Sequence, residues 1–271
     1  MMHTLLLLAL NGLVWGLIIA LIALGLSVIF GLLDIINIAH GDFFMVGTVL
    51  AWFTLEATGS FWLGFITAPL IGFLLGALIQ RVVIQPIRNV AALSIVATFG
   101  LSLILQESVR ISFGPTPRRI LPPIQATIPL FGIEYEVYRL FAAAVAVAAL
   151  LGFFLFLNHT KLGTWMRAVR HDRDTAIAMG IPAQRIYVLT FAIGFALAAF
   201  GGVDILPFCF MAVIIGGLGN LPGTAAAILL ALLEGVMQSF ADPTVARIAS
   251  LVLMSAVLLL RPQGLFKGLV R

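Results

Sequence analysis

The sequence predicts an all-α, polytopic membrane protein with about eight or nine transmembrane crossings, some of them broken or re-entrant. Hydrophobic residues make up 62% of the 271-residue chain and charged residues 10%, far below the roughly 25% of a soluble domain. The mean hydropathy is +1.18, and the apolar residues form many separate segments along the chain. The spans therefore form the body of the protein, and we expect a single transmembrane domain over residues 1–271.

The apolar segments account for the predicted crossings in order. They cover residues 5–31, 42–58, 61–80, 91–110, 138–157, 187–206, 208–218, 223–240 and 245–260. A helix needs about 20 residues to cross the hydrocarbon core, so 208–218 is too short to cross alone and 42–58 is marginal. The first segment lacks the positive residues that precede a signal peptide core, so we expect it to be retained as a helix.

The hydrophilic connections predict the orientation. If the crossings alternate and the C-terminus is cytoplasmic, ten of the 15 Lys and Arg residues lie on the cytoplasmic side. Cytoplasmic loops carry such an excess of basic residues. This orientation puts the loop 158–186 in the cytoplasm and the Pro-rich loop 111–137 outside, where proline rules out a regular helix. Because the basic residues lie beside the spans, the net charge of +4 does not indicate nucleic acid binding.

The most polar short stretch near a span is N-I-A-H-G-D-F at 37–43. Polar interruptions at membrane depth are tolerated where they are buried in protein or line a wet cavity, and transporters place solute sites there. A second interrupted stretch at 212–224 suggests an internal repeat. We expect a translocation path or gate at Asn37, His40, Gly41, Asp42, Gly216, Gly217, Gly219 and Asn220. The alternative is that Asn37, His40 and Asp42 only cap the ends of the first two helices.

The sequence does not indicate that this chain catalyses a reaction. The phosphate-binding pattern G-x-x-x-x-G-K-[ST] is absent from the sequence, so ATP would be hydrolysed by another subunit. The four His residues are scattered, and the single cysteine, Cys209, excludes an internal disulfide and a Cys-rich metal site. We therefore expect no enzymatic activity, no cofactor and no metal.

Four stretches resemble the permeases of branched-chain amino acid ABC importers. They are G-L-S-V-I-F-G-L-L-D-I-I-N-I-A-H-G-D-F-F-M-V-G at 25–47, F-G-P-T-P at 113–117, G-G-L-G-N-L-P-G at 216–223 and L-L-L-R-P-Q-G-L-F-K-G at 258–268. The resemblance covers nearly the whole chain. Just before the third stretch, this chain has a shorter outer segment than the family usually carries.

The resemblance implies a permease subunit of an ATP-driven importer for branched-chain or related amino acids. It implies a second homologous permease subunit in a heterodimer, two ATP-binding cassette subunits and an extracytoplasmic solute-binding protein as partners, in the lipid of a bacterial or archaeal plasma (inner) membrane. Two alternatives are the same machine for urea, short amides or another small polar nutrient, and an ion-coupled secondary transporter.

The cytoplasmic loop resembles the E-A-A-x-x-x-G loop by which such permeases dock on the ATPase. Residues 174–180 have this spacing, with Asp in place of Glu and Thr in place of Ala. Small residues permit close approach, and a glycine followed by Ile-Pro ends the helix. The residues expected to dock are Arg167, Asp172, Arg173, Asp174, Ala176, Ala178 and Gly180. The alternative is an ordinary solvated basic loop.

Overall fold

The computed structural model describes residues 2–87, 90–113, 124–130 and 133–199, and five single helical positions beyond them. Those positions are Leu233, Met237, Val245, Ala249 and Val252. The predicted segment 208–218 and the second interrupted stretch at 212–224 lie outside the described residues.

The described part of the chain is mostly helical. The helices are α1 (Met2–Leu33), α2 (His40–Thr58), α3 (Phe61–Ile79), α4 (Gln85–Ile87), α5 (Ala91–Phe113), α6 (Val137–His159), α7 (Lys161–His171), α8 (Arg173–Ala178) and α9 (Ala183–Ala198), with a π-helical segment (Gln80–Ile84) between α3 and α4. Six of these elements fall on the first six predicted apolar segments, because long apolar runs form helices that satisfy their own backbone groups.

Four stretches among the described residues are long and apolar enough to cross a membrane. They are Leu10–Leu33, Phe61–Ile87, Leu93–Phe113 and Val137–His159. α2 has 19 residues but carries Asp42 in its first turn and Glu56 near its end. The prediction of a mostly helical protein with several membrane spans is confirmed, while the number of crossings stays a prediction.

A β-hairpin corrects the all-α prediction in the Pro-rich loop. Strands β1 (Thr127–Leu130) and β2 (Ile133–Glu136) pair antiparallel, with Thr127 opposite Glu136 and Leu130 opposite Ile133. The β-branched residues of both strands favour extended structure. In β2, Tyr135 is buried, and its hydroxyl donates a hydrogen bond to Oδ1 of Asn11 in α1 at 3.0 Å.

The chain divides into two compact units, and two of the boundaries between them fall inside α1 and α6. The first comprises Met1–Ala23, Leu121–Leu150 and Pro207–Arg271, and the second comprises Leu24–Ile120 and Leu151–Leu206. In the first unit, the Oδ1 atom of Asn11 also accepts a hydrogen bond from Arg139 at 2.9 Å, which fastens the hairpin end of α6 to α1. The second unit holds all the predicted site residues that the structure describes.

Small residues let the helices of the second unit approach α9 closely. A Cβ atom added to Gly25 of α1 would lie 2.7 Å from the carbonyl oxygen of Gly194 in α9. A Cβ atom on Gly76 of α3 would lie 2.8 Å from Cβ of Phe195. Such small-residue contacts are the usual way in which membrane helices pack. As a result, α9 is buried along most of its length.

Aromatic rings fill the space next to the α1–α2 interruption. Phe43 of α2 stacks on Phe195 with ring centroids 4.0 Å apart, and it meets Phe191 edge-on at 5.7 Å. All three rings are fully buried. The start of α2 is therefore packed directly against α9.

Candidate functional site

The interruption between α1 and α2 begins at Asp34. Its φ of +54° is left-handed, and its N–H donates to the carbonyl oxygen of Phe30 at 2.9 Å. This is the arrangement of a left-handed helix C-cap, and Asp is among the few non-glycine residues that adopt it readily. Asp34 therefore ends α1, and α2 begins six residues later at His40.

Thr98 of α5 holds the backbone of the interruption. The N–H of Ile38 donates to Thr98 Oγ1 at 3.2 Å, and the same oxygen lies 3.3 Å from the carbonyl oxygen of Ile36. Thr98 is fully buried, and its hydroxyl also lies 2.8 Å from the carbonyl oxygen of Ser94. Since a hydroxyl carries one proton, it donates to one of these carbonyls at a time.

Asp42 is bound across to α5 rather than used as a helix cap. Its Oδ1 atom accepts a hydrogen bond from Nε2 of Gln106 at 2.9 Å, and Nε2 also lies 3.0 Å from Oγ of Ser102. The N-cap of α2 is Ala39, and no side chain makes a cap hydrogen bond there. The Asp42 carboxylate in the first turn of α2 still interacts favourably with the helix dipole.

The polar side chains of α5 were not among the site residues predicted from the sequence. The sequence does show polar residues every four positions along this otherwise apolar helix. Residues at this spacing lie along one side of a helix. These residues are Ser94, Thr98, Ser102 and Gln106.

Asn37 lies at the centre of the interruption and is fully buried. Among the described residues, neither Nδ2 nor Oδ1 of its amide has a hydrogen-bond partner. A buried polar group left unpaired costs about 1–3 kcal/mol. Unpaired buried groups are uncommon in folded proteins, so Asn37 calls for an explanation in terms of function or of a bound molecule.

His40 and Gly41 complete the predicted cluster on this side. The fully buried ring of His40 meets Phe43 edge-on at 5.8 Å. Its Cε1 atom would lie 3.3 Å from a Cβ atom on Gly25, so the ring sits beside the crossing of α1 and α9. Gly41 is buried in the first turn of α2. The structure thus gathers Asn37, His40, Gly41 and Asp42 inside the second unit. The other predicted path residues, Gly216, Gly217, Gly219 and Asn220, lie outside the described residues.

The second predicted cluster begins at α7, which follows α6 after Thr160. The hydroxyl of Thr160 caps α7 by accepting a hydrogen bond from the N–H of Gly163 at 3.0 Å. Arg167 donates through Nη1 to the carbonyl oxygen of Leu157, near the end of α6. A cation is favourable at the C-terminal end of a helix. Arg167, predicted to form part of the docking rim, therefore makes contacts within its own chain.

Asp172 is the N-cap of α8. Its Oδ1 atom accepts hydrogen bonds from the N–H groups of Asp174 and Thr175, each at 3.0 Å. Its other oxygen accepts one from the Thr175 hydroxyl. These hydrogen bonds, above all the one from the Thr175 side chain, lower the pKa of the Asp172 carboxyl below its usual value. The carboxylate thereby fixes the start of the predicted docking helix.

α8 has one buried position, whereas its other residues and its C-cap are exposed to the surroundings of the protein. Ala176 is buried at 3% exposure, whereas Ile177 and Met179 are 45% and 79% exposed. Arg173, Asp174, Ala178 and Gly180 are also exposed, and the 3.7 Å ion pair of Arg173 with Asp174 lies at the surface. Ile177 and Met179 were not among the predicted docking residues, although two large apolar side chains in a hydrophilic loop were a visible signal in the sequence.

Gly180 ends this helix by its conformation. Its φ is +83°, and its N–H donates to the carbonyl oxygen of Ile177 at 2.9 Å. A Cβ atom at this position would meet nothing within 4 Å, so the backbone angle rather than space requires glycine. Two residues later Pro182 is the N-cap of α9. One helix therefore joins the exposed α8 to the aromatic contacts beside His40.

The chain matches the family model for the permease component of the branched-chain amino acid transport system over residues 8–208. It is 28% identical over 290 residues to the high-affinity branched-chain amino acid transport system permease protein LivH of Escherichia coli, covering 94% of this chain and 93% of that protein. The corresponding permease protein BraD of Pseudomonas aeruginosa is 28% identical over 289 residues, with the same two shares. A probable branched-chain amino acid transport permease protein LivH of Methanocaldococcus jannaschii is 25% identical, over 94% of this chain and 90% of that protein. No solved structure matches the chain.

Proposed function

Because the chain belongs to the family of permease components of branched-chain amino acid transport systems, we propose that it is the membrane-spanning subunit of an ATP-driven importer for branched-chain or related amino acids. The observation that carries this proposal is the family match over residues 8–208. It is supported by two permease proteins that are similar to this chain over nearly their whole length. In the proposal, residues 1–271 form one transmembrane domain with eight or nine crossings in a bacterial or archaeal plasma membrane.

ATP is hydrolysed by separate subunits in this proposal, and α8 docks on one of them. Three features of α8 support docking. Asp172 fixes its start, Gly180 ends it, and Ile177 and Met179 expose apolar surface between charged neighbours. Apolar anchors within a polar rim are typical of protein–protein contact sites. The remaining partners are a second homologous permease subunit and an extracytoplasmic solute-binding protein.

The solute passes beside the α1–α2 interruption. Asn37, His40, Gly41 and Asp42 contribute this part of the path, and Gly216, Gly217, Gly219 and Asn220 contribute a second part. The support is physical: Asn37 and His40 are fully buried in protein, as polar groups at membrane depth require, and the amide of Asn37 has no partner among the described residues. α9 connects this region to α8, so a movement of the docking helix reaches the path through the rings of Phe195 and Phe43.

Reconstituted uptake tests the proposal. The permease pair, the ATPase subunits and the binding protein are placed in liposomes, and uptake of labelled leucine, isoleucine and valine is measured with ATP inside. We expect uptake with ATP and none with a non-hydrolysable analogue. Uptake driven by an ion gradient without ATP, or ATP-driven uptake of urea or a short amide but of no branched-chain amino acid, would contradict it.

A further inference from the structure

A second buried amide lies in the π-helical segment between α3 and α4. Gln80 begins this segment and is fully buried. Among the described residues, neither Nε2 nor Oε1 of Gln80 has a hydrogen-bond partner. Asn37 and Gln80 are the two buried side chains in the described part of the chain whose amide groups are unpaired at both atoms. Single π-helical turns inside α-helices are rare and are frequent at functional sites.

Gln80 follows a row of small residues along α3. Along α3 the inward positions recur every four residues, and Gln80 takes the next place in that row. The preceding members are Gly64, Ala68, Gly72 and Gly76. These small residues allow close packing, which a Gln side chain does not improve. Packing of α3 therefore does not account for an amide at position 80.

Gln80 begins a segment that packs against α5, the helix that holds the interruption. The π-helical segment contacts α5 and α9, and residues 88–90 separate α4 from α5. A connection this short is typical of neighbouring antiparallel helices. Gln80 lies seven residues before the end of α4 at Ile87, and Thr98 lies seven residues after the start of α5 at Ala91. Both are therefore roughly 10 Å from the connection. Thr98 in turn binds the backbone on either side of Asn37.

We propose that Gln80 is a solute-binding residue of the translocation path, acting with Asn37 on a small zwitterion. This inference rests on the proposed function. The Oε1 atom of a primary amide accepts from an ammonium group, and its Nε2 atom donates to a carboxylate. A transport path needs solute binding that is weak enough for release. A neutral amide binds a zwitterion by hydrogen bonds but lacks the fixed charge that would bind it too tightly. The unpaired atoms of Gln80 and Asn37 are two donor nitrogens and two acceptor oxygens that can serve this purpose.

The test replaces Gln80 in the complete reconstituted importer. Gln80→Leu keeps most of the volume and removes both hydrogen-bonding groups. Because removing an unpaired buried amide does not weaken the fold, we expect an unchanged or higher midpoint of thermal unfolding. We expect leucine uptake per folded complex to fall at least about tenfold, the loss that follows when hydrogen bonds to charged groups are removed. ATP hydrolysis stimulated by the loaded binding protein is expected to persist, since α8 is untouched.

Gln85→Leu is the matched control, because Gln85 follows the same segment but is exposed. It is expected to transport normally. Unchanged uptake by Gln80→Leu would overturn the inference, as would a loss of uptake that only follows a loss of folded protein. The parent complex is measured first, so an absence of ATP-driven uptake there is a failure of the proposed function. If the parent carries a different solute with ATP, the two variants are compared with that solute.

Discussion

Two polar side chains of α5, those of Thr98 and Gln106, hold the interruption and the start of α2. Thr98 binds the backbone at Ile36 and Ile38, and Gln106 binds the carboxylate of Asp42. Each such bond contributes about 0.5–1.5 kcal/mol, and one to a charged group contributes more. The interruption therefore has a defined geometry, even though the side chain of Asn37 within it has no hydrogen-bond partner among the described residues.

The Asp42–Gln106 contact is testable by a double-mutant cycle. Gln106→Leu removes the donor from a carboxylate that is 6% exposed, so we expect a loss of about 1.5–3 kcal/mol in the free energy of unfolding. In the background of Asp42→Asn the same change is expected to cost much less, because the charge is gone. Thermal or denaturant unfolding of the purified protein measures both. Equal costs in the two backgrounds would show that the contact contributes nothing specific.

The start of α8 is expected to depend on pH through Asp172. Its pKa is lowered in the folded state, so its stabilising contribution is complete above the unfolded value of about 3.9 and is lost as the pH falls through the folded value. The protection factor of the 174–176 amides against hydrogen exchange, relative to the intrinsic rate at each pH, should therefore fall at acid pH. Asp172→Ala should show the lowered protection factor already at neutral pH, whereas Asp172→Ser should retain much of the protection because serine also caps helices. A protection factor in the parent that does not change with pH would contradict this prediction.

At the scale of elements, α9 has the central position in the second unit. It begins directly after the loop that ends α8, and its residues pack against α1, α2 and α3. Those contacts are made through glycines or stacked rings, which leave little room for adjustment. α9 is therefore the element through which a displacement of α8 would reach the α1–α2 interruption.

The close crossing of α1 and α9 predicts opposite effects for two glycine substitutions. Gly25→Ala places a methyl group 2.7 Å from the carbonyl oxygen of Gly194, so we expect a loss of about 1–3 kcal/mol in unfolding free energy. Gly152→Ala is the matched control, because a Cβ atom there meets nothing within 4 Å. It should raise stability by up to about 1 kcal/mol through helix propensity. Unfolding measurements on both proteins decide the matter, and a neutral Gly25→Ala would argue against the close crossing.

The exposed apolar side chains at the C-terminal end of α8, Ile177 and the C-cap Met179, predict that substitution there weakens docking. Met179→Ser removes the most exposed of them without touching the cap at Asp172, so we expect co-purification of the ATPase and solute uptake to fall together, by about tenfold or more if it is an anchor. Met179→Leu should retain both. The folded amount of each variant is measured in parallel. Normal co-purification and uptake by Met179→Ser would remove Met179 from the docking surface.

At the scale of the whole molecule, the orientation in the membrane decides which partner each surface can meet. The excess of basic residues predicts that the loop 158–186 is cytoplasmic, where an ATPase would bind α8. The same predicted orientation would put the hairpin of β1 and β2 outside, on the side of a solute-binding protein. Both partner assignments thus depend on the orientation.

Cysteine labelling tests that orientation. With Cys209 replaced by serine, Ser112→Cys should react with a membrane-impermeant thiol reagent in intact cells, and Thr164→Cys only after the cells are opened. Both positions are exposed in the structure, so accessibility within the protein does not limit the reaction. The Cys209→Ser parent provides the background signal. The reversed labelling pattern would invert the orientation and place α8 on the wrong side for an ATPase.

The sequence alone determined the positions of six helices, the interruption near Asn37 and the short helix ended by Gly180. The six helices are α1, α2, α3, α5, α6 and α9. These features depend on apolar run length, on polar residues that hydrocarbon excludes and on backbone preferences, all of which are local properties. The hairpin was missed because prolines dominate its loop, although its β-branched residues favour strands.

Only the tertiary structure decided which side chains meet. Thr98 and Gln106 bind the interruption from 60 and 64 residues away along the chain. Arg167 donates a hydrogen bond to the carbonyl oxygen of Leu157, and Ala176 is buried. Residue spacing alone does not predict either feature. Gln80 read as the end of an apolar span, yet packing buries it with its amide unpaired among the described residues. Hydropathy and spacing describe neighbours along the chain, whereas hydrogen-bond partners and burial depend on how separate helices pack together.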